Sequence, residues 1–277
     1  MYYFFIKCMK NIKLLLKGAL IGIANSIPGV SGGTIAVILG IYNELIDVLS
    51  LSIKSIKKNF KFIIFIGIGL IGGLFLFSKL LSEVLFDKYP IPLGFAFMGL
   101  IIGSIPFVYR QTKIKKISSK NILFILIGLL PMILMLIINP APSIVEISLT
   151  PKLFIILFIC AIIGSFAMII PGISGSFVLL ILGQYQTIIN AVSDLNIPIL
   201  IPAALGVIVG IVFGSRFIKF LLNRFPTPTY TIILGLVIGS IFVIYPGFNL
   251  DIQGIISIII LIITTFLAYK ISKIEKN

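Results

Sequence analysis

Long apolar runs recur along the whole chain and restrict it to a single kind of fold. Of the 277 residues, 59% are hydrophobic and 11% are charged. A helix needs about 20 apolar residues to cross the hydrocarbon core of a bilayer, and these runs reach that length. In lipid only helices and closed barrels satisfy their backbone hydrogen bonds, and continuous apolar runs fit helices better than alternating barrel strands. We therefore predict an all-α, polytopic membrane protein that forms one transmembrane domain over residues 1–277.

The chain also contains an internal duplication. The stretch PGVSGGTIAVILGIY at 28–42 matches PGISGSFVLLILGQY at 171–185 at 8 of 15 positions. Further along, GLIIGSI at 99–105 matches GLVIGSI at 235–241. Similarity of this extent within one chain indicates a repeated structural unit. We place the first repeat at 12–139 and the second repeat at 152–271.

Each repeat has five apolar segments, of which the first two either both cross the membrane or form a re-entrant hairpin. The predicted segments are 12–27, 33–50, 60–86, 92–109 and 121–139 in the first repeat, and 152–170, 176–193, 198–222, 229–246 and 252–271 in the second.

Lysines and arginines lie in short clusters between these segments. The basic residues behind the net charge of +14 therefore do not form one continuous face for nucleic acid. Their distribution is better explained by the positive-inside rule for membrane proteins. If both ends of the first segment pair are cytoplasmic, 19 of the 22 basic residues lie on that side. Only Lys79, Lys88 and Lys152 are then left outside. Both termini are predicted to be cytoplasmic.

This topology makes each repeat cross the membrane an odd number of times, so the two repeats have opposite orientations. Inverted repeats are characteristic of secondary transporters, which bind their substrate near the midplane where the repeats meet. Channels and some membrane enzymes share the architecture, so it favours transport without excluding them.

The second segment of each repeat begins with a break of the form Pro-Gly-(Val or Ile)-Ser-Gly-(Gly or Ser). Proline removes a backbone donor and glycine permits non-helical angles, so a continuous helix is not expected. Ser31 and Ser174 stand at the N-cap position of the helix that follows. A helix that begins inside a membrane carries about half a positive charge at its start, which suits an anion. Two such starts from opposite leaflets offer one anion two sets of amides and hydroxyls.

The predicted substrate-binding residues are those of the two breaks and one cation from each repeat. Lys79 and Arg216 are equivalent in the repeat and lie within or at the edge of an apolar segment, where a cation can meet a phosphate. The alternatives are that the breaks are tight turns for close helix packing and that the cations snorkel to the interface. The full set is Pro28, Gly29, Ser31, Gly32, Gly33, Thr34, Pro171, Gly172, Ser174, Gly175, Ser176, Lys79 and Arg216.

Four further residues are candidates for coupling transport to an ion gradient. Glu44 and Asp47 align with uncharged residues of the second repeat, so this acidity is one-sided. They are candidates to carry a proton or a sodium ion, and capping near the membrane interface is the alternative. Tyr42 and Tyr185 match across the repeats and either line the site or belong to an aromatic belt.

The chain lacks the residues for several kinds of catalysis. It has no histidine, and its two cysteines, Cys8 and Cys160, are isolated in the sequence. Metal-ligand clusters, cysteine–histidine nucleophiles and histidine proton relays therefore have no basis. We predict no catalytic residue, no metal site and no cofactor.

The paired sequences NSIPGVSGGTIAVILGIYNELI and IIPGISGSFVLLILGQYQTIINAV resemble the polyprenyl-phosphate transporter family, the PopT-type undecaprenyl-phosphate translocases. The resemblance covers about residues 18–270, and the doubled break is its most specific part. It implies a multi-pass protein of the bacterial plasma membrane with re-entrant helices. It also implies movement of undecaprenyl phosphate from the outer to the cytoplasmic leaflet for reuse in peptidoglycan and other envelope polymers. The implied partners are the polyprenyl-phosphate lipid and the bilayer.

Two other functions fit parts of the pattern. Undecaprenyl-pyrophosphate phosphatases also have inverted repeats and a motif that begins Pro-Gly-x-Ser, but theirs continues with an arginine where this chain has Gly32 and Gly175. Without a cation for the developing charge or a positioned base, phosphoryl transfer is poorly supported, so we predict that the protein is not an enzyme. An ion-coupled carrier of a small soluble anion is the other alternative. A site that opens sideways to lipid favours the lipid substrate.

Overall fold

The computed structural model describes residues 2–25, 31–80, 89–116, 118–138 and 148–274. All regular secondary structure in these ranges is helical, which confirms the prediction of an all-α chain. The helices are α1 Tyr2–Asn25, α2 Gly32–Ile38, α3 Tyr42–Leu49, α4 Ile53–Lys58, α5 Phe60–Leu80, α6 Pro90–Gln111, α7 Ser119–Ile137, α8 Pro151–Ile169, α9 Gly175–Ile181, α10 Tyr185–Ser193, α11 Ile197–Arg224, α12 Pro226–Ile244 and α13 Ile252–Ile274.

Six of these helices are long and apolar enough to cross a membrane, judged by length and composition within the described ranges. They are α6, α7, α8, α11, α12 and α13. Helices α9 and α10 pass the same test together, but the chain bends by 117° between them, as in a broken span or a re-entrant loop. The polytopic membrane fold is therefore confirmed.

Local sequence explains where several helices begin. Proline occupies the first helical position of α6, α8 and α12, where its missing N–H would have no partner within the helix. The Thr150 side chain caps α8 by accepting a hydrogen bond from the Leu153 amide at 3.1 Å. The Asn196 side chain caps α11 in the same way.

A second break within each repeat was not predicted. The apolar segments 33–50 and 176–193 were expected to be continuous, but each consists of two short helices separated by a glycine. Gly40 and Gly183 adopt φ values of 66° and 72°, in the left-handed region that favours glycine. The residue after each glycine donates its amide back to the preceding helix, from Ile41 to Ala36 at 2.9 Å and from Gln184 to Leu179 at 3.0 Å. This pattern is a Schellman cap, which ends one helix and turns the chain into the next.

We call α2 and α3, the two halves of segment 33–50, the first hairpin, and α9 and α10, the two halves of segment 176–193, the second hairpin. Each hairpin follows a long helix, α1 or α8, that packs along the next long helix after the hairpin, α5 or α11. Glycines allow the backbones of α1 and α5, and those of α8 and α11, to come into direct contact. A Cβ added at Gly73 would overlap the Ala19 carbonyl, and one added at Gly206 would overlap the Phe158 carbonyl.

The remaining long helices exchange partners between the repeats. Helix α6 of the first repeat packs on α13 of the second, and α12 of the second packs on α7 of the first, while α6 and α12 contact each other. This reciprocal packing is what two structurally equivalent halves produce. The main hydrophobic core surrounds α2 and includes buried residues of α1, α3, α6 and α12. The opposite orientation of the two repeats in a membrane stays a prediction.

Candidate functional site

Ser31 and Ser174 are the N-cap residues of α2 and α9, with nearly the same extended backbone. Their φ and ψ angles are −97° and 126° for Ser31, and −90° and 122° for Ser174. Their carbonyls accept the first helical hydrogen bonds, at 3.2 and 3.1 Å. Neither serine side chain caps its helix. The first amides of each helix have no acceptor in the preceding turn, so they remain available to a side chain or a ligand.

The two breaks contact each other directly. The Gly172 amide of the second break donates to Thr34 Oγ1 of the first at 2.7 Å, and both groups are buried. The Tyr42 hydroxyl donates to the carbonyl of Ile169, the last residue of α8, at 2.9 Å. Gly33 also lies against the end of α8, where a Cβ would make ordinary contact with the Ile169 carbonyl oxygen at 3.4 Å. The two helix starts, 143 residues apart in the chain, therefore lie at one place.

Ser31 is buried at this place, and its hydroxyl is unpaired. Its relative exposure is 3%, and Ser31 Oγ has no hydrogen-bond partner within the described part of the chain. The next amide, at Gly32, donates to Asn25 Oδ1 at 3.0 Å. A buried hydroxyl without a partner loses its hydration and gains nothing in return, so such a group calls for an explanation.

The second break is less enclosed. Ser174 is buried, and its hydroxyl shares a hydrogen bond of 2.8 Å with the hydroxyl of Ser176, which is exposed. The start of α9 packs against α8 beside Met168, whose exposed fraction is 37%. The exposed Ser176, hydrogen-bonded to the buried Ser174, thus lies at a helix start that packs beside an exposed apolar side chain.

A polar cavity of about 370 Å³, the polar cavity below, lies between the first hairpin and helices α11 and α12. Its lining includes Lys58 of the first repeat and Lys219 of the second, from two basic clusters that the charge count assigns to one side. Asp47 forms an ion pair with Lys219. The complete lining is Asn43, Glu44, Ile46, Asp47, Lys58, Asn59, Lys219, Leu222, Asn223 and Tyr230.

Several predicted site residues lie apart from the contact between the breaks. Arg216 donates from Nε to the Ser50 carbonyl at 3.1 Å, at the C-terminus of α3, where a cation is favourable. Glu44 is exposed and lines the polar cavity, and Tyr185 begins α10. Pro28 and Gly29 lie outside the described residues, as does the side chain of Lys79 in α5. Pro171 and Gly175 are buried within the second break.

Three polar partners in this region come from other helices and were not predicted from the sequence. The Lys17 ammonium of α1 donates to the Leu39 carbonyl at the end of α2 at 2.7 Å. Asn25 and Lys219 were missed in the same way. A lysine inside an apolar segment is a signal that could have singled out Lys17, whereas nothing in the sequence links Lys219 to Asp47, 172 residues earlier.

Comparison with known proteins adds independent information. A family model described as VCA0040-like, undecaprenyl phosphate translocase-like, matches residues 21–255. A polyprenyl-phosphate transporter of Staphylococcus aureus is 33% identical over 271 residues, which cover 94% of this chain and 95% of that protein. A polyprenyl-phosphate transporter of Vibrio cholerae is 34% identical over 254 residues, which cover 87% of this chain and 79% of that protein. No solved structure matches the chain significantly.

Proposed function

This chain belongs to the undecaprenyl phosphate translocase-like family, and on that premise we propose that it transports polyprenyl phosphate across the bacterial plasma membrane. Its substrate is undecaprenyl phosphate, which it moves from the outer to the cytoplasmic leaflet. The lipid then returns to the synthesis of peptidoglycan and other envelope polymers. The protein is a carrier and not an enzyme.

The physical task is to move one phosphate head through an apolar barrier while the prenyl tail stays in lipid. A charged group near the bilayer centre is costly unless it finds polar partners. Helix starts provide such partners without a fixed counter-charge, and several weak contacts allow release on the far side. The protein therefore needs to shelter only the head group.

One observation carries the proposal: the two breaks meet, through the hydrogen bond from the Gly172 amide to Thr34 Oγ1. Beside this contact lies the unpaired, buried hydroxyl of Ser31. A phosphate oxygen is an acceptor for a serine hydroxyl and for the amides at the helix starts. We propose that the phosphate binds there, with Ser31 and Ser174 as donors.

The surroundings of the second break support a lipid substrate over a small soluble anion. Ser176, whose hydroxyl is hydrogen-bonded to that of Ser174, is exposed, and the start of α9 packs beside the exposed apolar side chain of Met168. A head group on a prenyl chain can approach such a position from within the bilayer. In our proposal the two inverted repeats rock around the breaks and expose the site to each leaflet in turn, and a proton or sodium gradient drives the cycle.

The test is the transfer of undecaprenyl phosphate between leaflets of proteoliposomes that contain the purified protein. We expect Ser31→Ala combined with Ser174→Ala to lower the transfer rate about a hundredfold or more, because each lost hydrogen bond to a charged group is worth about 1.5–3 kcal/mol. Ser104→Ala with Ser240→Ala is the matched control. These serines are also buried and equivalent in the repeat, but each donates to a carbonyl of its own helix.

Unchanged transfer in the double variant of the breaks would remove the anion site from the proposal. Two further measurements separate the alternatives. Release of inorganic phosphate from undecaprenyl pyrophosphate, with turnover, would identify an enzyme. Uptake of inorganic phosphate into the same liposomes, without lipid transfer, would identify a carrier of a soluble anion. Imposing proton and sodium gradients in turn identifies the coupling ion.

A further inference from the structure

The polar cavity contains a second set of groups suited to phosphate, separate from the contact between the breaks. We propose that the polar cavity binds a phosphate monoester head, and that Asp47 is an internal anion which this phosphate displaces from Lys219. The inference rests on the proposed function, because the expected ligand is the head group of the transported lipid. It assigns that head group a second binding position.

The lining of the polar cavity supplies suitable donors. Two ammonium groups, Lys58 and Lys219, share it with the side-chain amides of Asn43, Asn59 and Asn223. The volume of about 370 Å³ lies within the range for small-molecule sites. Charge-assisted hydrogen bonds from lysine and neutral ones from amides are the usual means of binding a phosphate. Within the described part of the chain, Lys58 makes no ion pair, so its charge is available to a ligand.

The ion pair between Asp47 and Lys219 resembles the contact that a phosphate would make. Phosphate monoesters carry between one and two negative charges near neutral pH, whereas a carboxylate carries one. A phosphate between Lys58 and Lys219 therefore attracts the Lys219 ammonium more strongly than Asp47 does. Glu44 also lines the cavity and opposes an anion, but it is exposed, so solvent screens its charge, as it does that of the exposed Lys58.

Asp47 has other partners that remain when Lys219 turns away. The Ser55 hydroxyl donates to Asp47 Oδ1 at 3.0 Å, and the Asn59 amide donates to Oδ2 at 3.1 Å. The Lys219 ammonium in turn lies 3.3 Å from the Ser55 hydroxyl. Because Asp47 keeps two donors, the exchange does not leave an unpaired carboxylate. Displacement is therefore less costly than breaking an isolated ion pair.

A line of polar side chains connects the polar cavity to the breaks. The Tyr230 hydroxyl donates to Asn43 Oδ1 at 2.9 Å, and both residues also line a smaller cavity of about 30 Å³. Tyr42 lines that smaller cavity and donates to the Ile169 carbonyl beside the second break. A head group released from the breaks would thus meet Asn43 and Tyr230 before the two lysines.

The arrangement, which joins Asp47 of the first repeat to Lys219 of the second, occurs only once in the described part of the duplicated fold. The residues equivalent to Asp47 and Lys219 in the other repeat are Asn190 and Ser82, which carry no charge. An ion pair with a purely structural role would be expected twice in a duplicated fold, once at each pair of equivalent positions. A receiving position for the head group is needed on the side toward which the lipid is delivered, so a one-sided site fits directional transport.

The experiment measures binding of farnesyl phosphate, a short prenyl monophosphate, to the purified full-length protein in detergent by titration calorimetry. Inorganic phosphate and farnesol are parallel probes for the free anion and the bare tail. We expect Asp47→Asn to lower the Kd for farnesyl phosphate by about two- to fivefold, because Lys219 no longer has a competing anion. We expect Lys219→Gln to raise the Kd about fivefold and Lys58→Gln about twofold.

Lys57→Gln is the matched control, since Lys57 neighbours Lys58 on α4 but does not line the polar cavity. The double variant Asp47→Asn with Lys219→Gln should lose the gain of Asp47→Asn. If Lys219→Gln does not fold, the tighter binding of farnesyl phosphate by Asp47→Asn is the deciding result. Asparagine keeps the shape of the aspartate side chain, so this variant is expected to fold.

Weaker or unchanged binding in Asp47→Asn would overturn the inference and leave an ion pair with a purely structural role. Binding of inorganic phosphate with the same dependence on these residues, but no binding of farnesyl phosphate, would overturn the lipid head as ligand. Failure of the proposed function gives a different result: Asp47→Asn would still bind farnesyl phosphate more tightly, but the protein would not transfer undecaprenyl phosphate between leaflets. Transfer that depends on Ser31 and Ser174 while all cavity variants bind normally would overturn only the cavity.

Discussion

The first and second hairpins share a backbone but differ in their surroundings. Both begin at an N-cap serine, run through a seven-residue helix and turn at a glycine with positive φ. Every residue of α2 is buried, whereas in α9 only Gly175 is. The duplicated sequence thus gives two copies of one local structure, one inside the protein and one near its surface.

Polar anchors account for part of this difference. Lys17 binds the end of α2, Asn25 binds its start, and Thr34 accepts from the second break. The equivalent positions in the second repeat are Cys160, Met168 and Phe177, none of which can make the same hydrogen bond. The first hairpin is therefore held by polar contacts at both ends, whereas the second keeps Ser174 buried and leaves Ser176 exposed.

Of the substitutions that test this comparison, Thr34→Val should lower the free energy of unfolding the most. It removes the acceptor of the buried Gly172 amide with little change in shape, and we expect the free energy of unfolding to fall by about 1–3 kcal/mol. Denaturant titration in mixed micelles measures it. Thr231→Val is the control, because that buried hydroxyl donates within its own helix to Thr227. Equal losses in the two variants would contradict a special link between the breaks.

Replacing the two turn glycines tests whether the hairpins are equivalent in backbone. Gly40→Ala and Gly183→Ala each place a Cβ at a left-handed φ, and we expect each to cost about 1–2 kcal/mol of unfolding free energy. Gly67→Ala is a control within a helix, with open space around the new Cβ, and should be neutral or stabilising. Losses at Gly40 and Gly183 that differ by more than about 1 kcal/mol would mean that surroundings dominate over backbone.

The two N-cap serines should respond to alanine with opposite signs. Ser174→Ala loses the hydrogen bond with Ser176, and we expect unfolding free energy to fall by about 0.5–1.5 kcal/mol. Ser31→Ala removes an unpaired buried hydroxyl, so we expect no loss, or a gain of up to about 1 kcal/mol. Thermal unfolding of both variants in the same detergent gives the comparison. A clear loss in Ser31→Ala would show that its hydroxyl is already satisfied.

Lys17→Met should have the smallest effect. It removes the ammonium from the end of α2 while keeping much of the apolar stem, and the expected loss is about 0.3–1 kcal/mol of unfolding free energy. Lys13→Met, one turn earlier on the exposed face of α1, is the matched control. The prediction fails if both substitutions cost the same, because then the position at the helix end would not matter.

Much of the fold follows from local sequence. Apolar runs located the long helices, and proline residues such as Pro90, Pro151 and Pro226 fixed where three of them start. The break at each N-cap serine was predictable because proline and glycine act on the adjacent backbone. The second break at Gly40 and Gly183 was missed, although a glycine shared by both repeats after an apolar stretch is a signal for a helix C-terminus.

The candidate site was less predictable, because its polar contacts join distant parts of the chain. Thr34 and Gly172 are 138 residues apart, and Asp47 and Lys219 are 172 apart. Comparison of the repeats identified equivalent residues, yet the contacts depend on positions where the repeats differ. For example, Thr34 aligns with Phe177 of the second repeat, and Asp47 aligns with Asn190. Such differences become meaningful only when the packing of the helices is known.

The close approach of α1 to α5 and of α8 to α11 also determines how the molecule can deform under mechanical load. Where backbones touch through glycine, no side-chain rotamer can absorb a change in spacing, so each helix pair resists separation as a stiff unit. Bending is then concentrated in the hairpins, each of which has two interruptions within a short stretch. A change in the thickness or lateral pressure of the bilayer would therefore reach the proposed head-group site through the hairpins before it altered the helix pairs.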